Sequence, residues 1–567
     1  MTVVVARPLP QRRSGQRQQL VALAHTRLMM LMLLFAAAVG VVVLRLAMLA
    51  AFSGADAKSN MATLAARGDI VDRNGRPLAR TIEAWTIAVH PRQIMGDRTA
   101  LAARLAALMP ERGDQGWFLG QLSKDVSFTY LERRASPQLV EQVNALGEPA
   151  IVFARETQRL YPQSTMAAHA LGFLSTDGHG MAGMERVLDA RLLDRAAAGK
   201  PVPLAIDMRV QAAMESELAR AQIGHQARAA SGLVLDVHTG EVVAMVSLPT
   251  FNPNRVGMAG LEQLRNVNTQ SVYELGSTFK PIAAAIALET GVVKDISRRF
   301  DATVPLRVGG HTIHDDRGHE QKRWLNIPET LIHSSNIATA RIADEIGAER
   351  LQASYRRLGF ADKPVIELKE KGRTLWPSYW ARTTTMTAAY GHGIAITPLQ
   401  LAQAYAALVN GGVWRPATLL KVQGRPDPGR RVFSEATSAR MRQMLRLIVL
   451  EGTGKKGEAP GYRVGGKTGT AEAASGGGYD RRRNVSTFAA AFPMDAPRYV
   501  VIAMLDSPKG NKESFGLTTA AWTAAPVVSR VIARTGAMLG VVPNAARDID
   551  LSDIDPLIWR AADKGAH

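Results

Sequence analysis

The stretch Tyr273–Pro281 reads YELGSTFKP, and the rest of the chain is read outward from it. It sets a serine and a lysine three residues apart, Ser277 and Lys280, with Pro281 directly after; Ser-x-x-Lys occurs nowhere else in the sequence. Proline lacks an N–H and is best tolerated in the first turn of a helix. The following IAAAIALE (Ile282–Glu289) is apolar nearly all round, which predicts a buried helix, and Gly291 is a plausible stop. Ser277 therefore falls at the helix N-terminus and Lys280 about one turn on, on the same face. The amine can then reach the hydroxyl. A serine is a poor nucleophile until a base removes its proton, and a lysine serves once burial and neighbouring cations lower its pKa. Taken alone, the pair reads as a capping serine beside an unrelated lysine.

Two further motifs change that balance. HSSN (His333–Asn336) places Ser334-x-Asn336 57 residues after Ser277, next to LNIPETLI (Leu325–Ile332), which reads as a helix that the triplet ends or interrupts. A hydroxyl there can relay a proton, and an amide can hold both a lysine and a substrate carbonyl. GGKTGTAE (Gly465–Glu472) follows, with Lys467 lying 133 residues after Ser334. It reads as the start of a strand whose glycines admit close approach. Lys467 can supply a standing positive field, and Thr468 and Thr470 can hydrogen-bond a carboxylate. Each motif alone fits a cap or a turn. Together, once each and in this order, they form the signature shared by serine β-lactamases and penicillin-binding proteins.

Bulk properties set the frame. The chain has 567 residues, 46% hydrophobic and 21% charged, which fits two to four globular units. It has no cysteine, which excludes thiol nucleophiles, disulfides and thiolate metal sites. The net charge of +19 comes from scattered arginines; the densest run, Arg481–Arg483, sits in a glycine-rich loop without aromatics and reads as solvated surface rather than a nucleic-acid site. Leu28–Leu44 carries no charge over 17 positions. A spanning helix needs about 20 apolar residues, and Arg45 can snorkel to an interface. Arg7, Arg12, Arg13, Arg17 and Arg27 precede the run, and no acid appears before Asp56. The positive-inside rule then predicts a single-pass anchor with a cytoplasmic N-terminus. A cleaved signal peptide is the rival reading, but the apolar run exceeds a typical h-region of about 7–15 residues.

The sequence divides into an expected tail (1–27), an anchor (28–50), a pedestal mixing short strands and helices (51–205), a catalytic domain (206–540) and a polar C-terminal tail (541–567). SGLVLDVHTGEVVAMVSLP (Ser231–Pro249) predicts two strands around a turn at His238–Gly240, and STFAAAFP (Ser486–Pro493) and RYVVIAMLD (Arg498–Asp506) predict adjacent strands. Strands flanking a central helical block point to an α+β fold, an antiparallel sheet covered by helices.

At this point the chain resembles the class B penicillin-binding proteins, in particular the cell-division (septal), penicillin-binding protein 3 type. The resemblance covers most of the chain. ARGDIVDRNGRPLA (Ala66–Ala79), RLYP (Arg159–Pro162) and GMAGME (Gly180–Glu185) resemble the family's pedestal motifs. TGEVVAMVSLPTFNPN (Thr239–Asn254) resembles the lead-in to the serine, and AAYGHGIAITPLQLAQAYAALVNGG (Ala388–Gly412) the segment before Lys-Thr-Gly. One position departs: Leu275 stands where the family usually has proline. The resemblance implies a serine β-lactamase-like transpeptidase domain that cross-links peptidoglycan stem peptides and is acylated by β-lactams, without cofactor or metal. It implies that Ser277 attacks the penultimate D-alanine carbonyl, Lys280 takes the proton, and Ser334 with Asn336 relays it and orients Lys280. Lys467 would support the relay. Thr468, Gly469 and Thr470 would bind the donor, Thr468 and Thr470 through its carboxylate, and the N–H groups of Ser277 and Thr470 would form the oxyanion hole. The catalytic domain would be periplasmic on an inner-membrane anchor, partnered by a polytopic division glycosyltransferase and other divisome proteins. An elongation-type transpeptidase, a membrane-anchored β-lactamase and a β-lactam sensor are the alternatives. The β-lactamase lacks support, because no Glu-x-x-Leu-Asn element lies between Asn336 and Lys467. For the pedestal residues Arg67, Asp72, Arg73 and Glu185, a structural joint is expected ahead of a switch surface.

Overall fold

The computed structural model describes residues 26–45, 48, 67–194, 200–316, 318–475 and 478–560. Arg7 to Arg17, the first part of the expected pedestal, the side chains of Arg481 and Arg482 and the last seven residues of the expected tail lie outside the described residues. The chain forms two compact units, residues 1–65 and 66–567. The first contains helix α1 (Thr26–Arg45), with a mean hydropathy of 2.5 and an arginine at each end of its apolar run. Its 20 residues span about 30 Å, the thickness of a hydrocarbon core. Among the described residues it is the one helix long and apolar enough to cross a membrane.

The second unit begins with the pedestal. Strand β1 (Ile70–Val71) turns through Asp72–Gly75 into the long β2 (Pro77–Val89). The Asn-Gly turn forms as its sequence predicts: Gly75 has φ +84°, and the Asp72 carboxylate accepts the N–H groups of Asn74 and Arg76, each at 2.8 Å. Helices α2 (Arg98–Leu108) and α3 (Gln115–Leu122), strand β3 (Thr129–Ala135), helix α4 (Pro137–Asn144), strand β4 (Ile151–Leu160) and strand β5 (Val202–Pro203) follow. Strand β2 pairs antiparallel with β1, β3 and β4, while β1 runs parallel to β5. Ile87, Val89, Leu105, Phe118 and Leu131 make this region's own core.

The catalytic half is a five-stranded antiparallel sheet between two helical layers. Helix α5 (Met208–Gly224) leads into β6 (Ala229–Asp236) and β7 (Val242–Leu248). Helices α6 (Lys280–Glu289), α7 (Ile327–Ile332), α8 (Asn336–Ile346), α9 (Pro398–Val409) and α10 (Glu435–Leu450) come next. Strands β8 (Gly465–Ser475), β9 (Gly478–Phe492) and β10 (Tyr499–Asp506) and helix α11 (Ala524–Thr535) complete it. The strand order is β8-β9-β10-β6-β7. YVVIAMLD is apolar at nearly every position because both faces of β10 are covered: Val500, Ile502 and Met504 pack with α6 and α9, while Val501, Ala503 and Leu505 pack with α5 and α11. Strand β8 lies at the sheet edge and so exposes Lys-Thr-Gly to the helical block.

One joint between the pedestal and the catalytic half gathers around the Asn-Gly turn. Asp72 also accepts the Met208 N–H at 3.2 Å, Asn74 donates to Asp207 at 3.1 Å, and Arg73 pairs with Glu241 at 3.2 Å. Within the pedestal, both Glu185 carboxylate oxygens are taken at 2.7 Å, one by Arg67 and one by Arg159. The segment after Gly540, expected as a polar tail, instead packs down: Ile554 and Ile558 bury against Ile332 and Leu447, and Trp559 donates its N–H to Glu329 at 3.0 Å. Its five acids make the segment read as polar in sequence, yet Arg446 and Arg440 of α10 neutralise Asp548 and Asp553 and let the isoleucines dock.

Candidate active site

The site forms where α6, the α7–α8 turn and edge strand β8 meet. Ser277 lies in a single 3-10 turn, Gly276–Phe279, that runs directly into α6, with Pro281 in the first turn as expected. It is half-buried and its hydroxyl makes no hydrogen bond among the described residues, whereas every residue from Thr278 to Ala287 is buried. Leu275 is buried with φ −104°, well outside the range a proline adopts, so this turn is built for a non-proline residue.

Three glycines let the elements close on one another. A Cβ on Gly469 of β8 would sit 2.3 Å from the Leu275 carbonyl and 2.7 Å from Thr278 Cγ2. A Cβ on Gly391 would sit 2.3 Å from the Gly276 carbonyl, and Gly276 itself has φ +53° beside the Thr470 carbonyl. Gly469 in Lys-Thr-Gly is thus fixed by contact with the serine turn.

Helices α7 and α8 are separated by Ser334 at φ +60°, a strained conformation costing about 1–3 kcal/mol. The neighbouring Ser335 caps α8 through the Ala338 N–H at 3.1 Å and donates to Asp315 at 2.9 Å. Asp315 also accepts the Ile337 N–H at 3.0 Å, so one buried carboxylate pins the turn that presents Ser334.

Ser334 joins the two lysines. Lys280 Nζ donates to the Ser334 carbonyl and, at 3.2 Å, to its Oγ; Lys467 Nζ donates to the same Oγ at 2.9 Å. The hydroxyl accepts from both amines, which leaves its own proton to give. Lys280 is 1% and Lys467 0% exposed. Burial pushes Lys280 down to about 8, with Asp316 and Asp315 opposing the shift. Lys467 is held well below the ordinary lysine value by burial first and by repulsion from Lys280 second. The standing charge expected of Lys467 is therefore not fixed by the protein alone: the pair resists carrying two protons.

Lys467 also donates to the Thr468 carbonyl at 3.0 Å. Thr470 Oγ1 accepts the Ala520 N–H at 3.1 Å, leaving its own proton available for an anion. Asn336 was expected to orient Lys280. Its amide nitrogen instead donates to the His314 carbonyl at 3.0 Å, with Asp316 at 3.4 Å, leaving the amide oxygen for a ligand. Likewise, three-residue spacing alone does not set Lys280 on Ser277; the buried ammonium takes the acceptors on Ser334. Asp315, Asp316 and Thr453 are parts of the site that the sequence reading missed. The adjacent acids in HDDRGHE and the Gly-flanked threonine in EGTG are the faint signals that stood for them.

Comparison with known proteins agrees with this architecture. Residues 230–529 match the penicillin binding protein transpeptidase domain, and residues 62–193 the penicillin-binding protein dimerisation domain. A protein of Caulobacter vibrioides named probable peptidoglycan D,D-transpeptidase FtsI is 42% identical over 491 residues, covering 84% of this chain and 82% of that protein. Escherichia coli FtsI is 30% identical over 517 residues, covering 84% of each. Crystalline penicillin binding protein 3 of Mycobacterium tuberculosis, in complex with aztreonam, superposes with a TM-score of 0.67 at 28% identity, over 85% of this chain and 98% of that one. With the three motifs assembled on one edge strand and two helices, the chain belongs to the penicillin-binding protein transpeptidases, alongside relatives named FtsI and penicillin-binding protein 3.

Proposed function

We propose that this chain is a membrane-anchored peptidoglycan D,D-transpeptidase, acting through an acyl-enzyme on Ser277 and blocked by β-lactams at the same atom. The observation that carries the reading is an accessible Ser277 beside a buried Lys280–Ser334–Lys467 chain. Ser277 Oγ attacks the carbonyl of the penultimate D-alanine. Its proton passes to neutral Lys280 and, through Ser334 Oγ, to the departing D-alanine amine as the C–N bond breaks. An amine of a second stem peptide then attacks the ester, and its proton passes by way of Lys280 to Ser277 Oγ as the ester C–O bond breaks, regenerating the serine and forming the cross-link. The N–H groups of Ser277 and Thr470 bind the oxyanion; losing one such donor typically costs about 2.7–4 kcal/mol. Asn336, through its amide oxygen, engages the donor.

The donor's terminal carboxylate sits on Thr468 and Thr470, and it also settles the charge between the lysines. An anion beside Lys467 favours its protonated form, and a protonated Lys467 repels a proton from Lys280. Substrate binding thus leaves Lys280 as the free base. Gly469 keeps the serine turn against β8.

The arginine-rich N-terminus supports a cytoplasmic tail with the catalytic unit outside. The FtsI names of the relatives support a septal role, with a polytopic glycosyltransferase as partner and the small residues Ala36–Ala38 and Gly40 of α1 allowing close helix approach. Labelling membranes that contain the full chain with a fluorescent penicillin tests the central claim. One adduct on Ser277, absent from Ser277→Ala, is expected; an adduct that persists in that variant refutes it.

A further inference from the structure

Thr453 belongs to none of the three motifs, yet it touches two residues of the third. It lies in EGTG (Glu451–Gly454), between α10 and β8, and is half-exposed. Its Oγ1 is 2.7 Å from Thr468 Oγ1 and 3.5 Å from Lys467 Nζ. Either hydroxyl can give the proton in the Thr453–Thr468 bond, and Lys467 biases the choice. A protonated Lys467 has three N–H groups; Ser334 Oγ and the Thr468 carbonyl take two, and the third faces Thr453 Oγ1. Thr453 Oγ1 then has its own proton left to give, and the group at 2.7 Å is the Thr468 hydroxyl. Once Thr468 Oγ1 accepts, its proton is free for the cleft.

A hydroxyl whose proton is turned away from the cleft presents lone pairs to an incoming carboxylate and repels it. One whose proton is directed outward binds it. Thr470 reaches the same state by another route, since its Oγ1 accepts the Ala520 N–H. Both threonines of the strand are thereby favoured as donors by a neighbour that occupies one of their lone pairs.

We propose that Thr453 is a positioning residue for the donor carboxylate: it accepts from Lys467, donates to Thr468, and so fixes Thr468 as a hydrogen-bond donor to the anionic end of the substrate or of a β-lactam. This rests on the carboxylate reading of Thr468 and Thr470 given above. The chain Lys467–Thr453–Thr468 is polarised by the amine at its head, which strengthens the last bond in the series. It also couples charge to recognition, because a carboxylate drawn to Thr468 favours the protonated form of Lys467.

The test compares second-order acylation of the full chain, in detergent-solubilised membranes, by benzylpenicillin and by its methyl ester, which lacks the anion. Thr453→Val keeps the shape and removes both hydrogen bonds. It is expected to slow benzylpenicillin about tenfold and the ester less than twofold. Thr453→Ser should restore the rate. Thr453→Val combined with Thr468→Val should be no slower than Thr468→Val alone, as residues acting in series require. Melting temperatures are read alongside, and Thr453→Ala carries the same comparison should the valine variant not fold. Equal slowing of acid and ester, no slowing of either, or a serine variant as slow as valine overturns the proposal while leaving the carboxylate reading intact. An unsubstituted chain that acylates with acid and ester alike overturns that reading and this proposal with it.

Discussion

Gly469→Ala is the sharpest test of how the site is assembled. The substitution adds one methyl group to an edge strand and changes no hydrogen-bonding group. The added Cβ would lie 2.3 Å from the Leu275 carbonyl oxygen, 2.7 Å from Thr278 Cγ2 and 3.1 Å from the Thr278 N–H nitrogen. Ordinary contact begins at 3.4 Å, so the Leu275 carbonyl must retreat by about 1 Å. Leu275 and Thr278 flank Ser277, and the nucleophile moves with them. A displacement of about 1 Å at a reacting centre costs on the order of 100-fold in rate, equivalent to about 2.7 kcal/mol. Overpacking adds about 1–3 kcal/mol of destabilisation. Acylation of Gly469→Ala by a fluorescent penicillin, followed by gel quantification, is therefore expected to fall roughly 100-fold, with a lower melting temperature. Gly257→Ala is the control, since nothing lies within 4 Å of its added Cβ. A Gly469→Ala chain that acylates within twofold of the unsubstituted chain refutes the argument that this glycine is set by the serine turn.

Three further outcomes follow from the reading of Lys280 and from the septal role. Lys280 must be neutral to accept a proton and its pKa is lowered to about 8, so acylation should climb roughly tenfold per pH unit below about 8 and level off above it. Lys280→Arg, always protonated, should lose acylation at every pH; a flat profile or an active arginine variant points to another base. Depletion in a rod-shaped host should give filaments with unfinished septa, scored by microscopy, whereas round and widening cells would assign the enzyme to elongation.

What the sequence made legible was local. Ser277 and Lys280 share one turn, Pro281 marks where that turn becomes α6, and the apolar run behind it has no exposed side until Leu288. Alternating cores explain why β10 reads as continuously apolar. What stayed hidden depends on pairings that no spacing encodes. Asp315 finds Ser335 20 positions away, and Thr453 finds Thr468 15 positions away across a change from helix to strand. Asn336 was assigned to Lys280 by analogy, but the loop before α7 offers it the His314 carbonyl first. The tail misled for a similar reason: its acids read as solvated until Arg440 and Arg446, about 100 residues earlier, supply the partners.

The ion cluster inside the pedestal resists bending. Glu185 is fully buried, with Arg67 on one carboxylate oxygen and Arg159 on the other; Asp189 balances the second positive charge through Arg67 at 2.7 Å. Removing one member of such a set leaves an unpaired buried charge, a cost of about 3–5 kcal/mol. That is a large share of the roughly 5–15 kcal/mol that holds a typical domain together. Gly172 and Gly183 tighten the same place, since a Cβ on Gly172 would fall 1.8 Å from the Ala182 carbonyl. A bend here would have to part charges and backbones that nothing else nearby can satisfy. The contact of Arg73 with Glu241 is different in kind: Glu241 is buried, but it also accepts the Val422 N–H at 2.8 Å and the Thr239 hydroxyl at 3.2 Å, so it keeps two donors if Arg73 is lost. Pedestal and catalytic half also meet through Asn254, which holds Arg134 and Tyr161, and through Glu215 and Gln263, so no single contact carries the coupling between them.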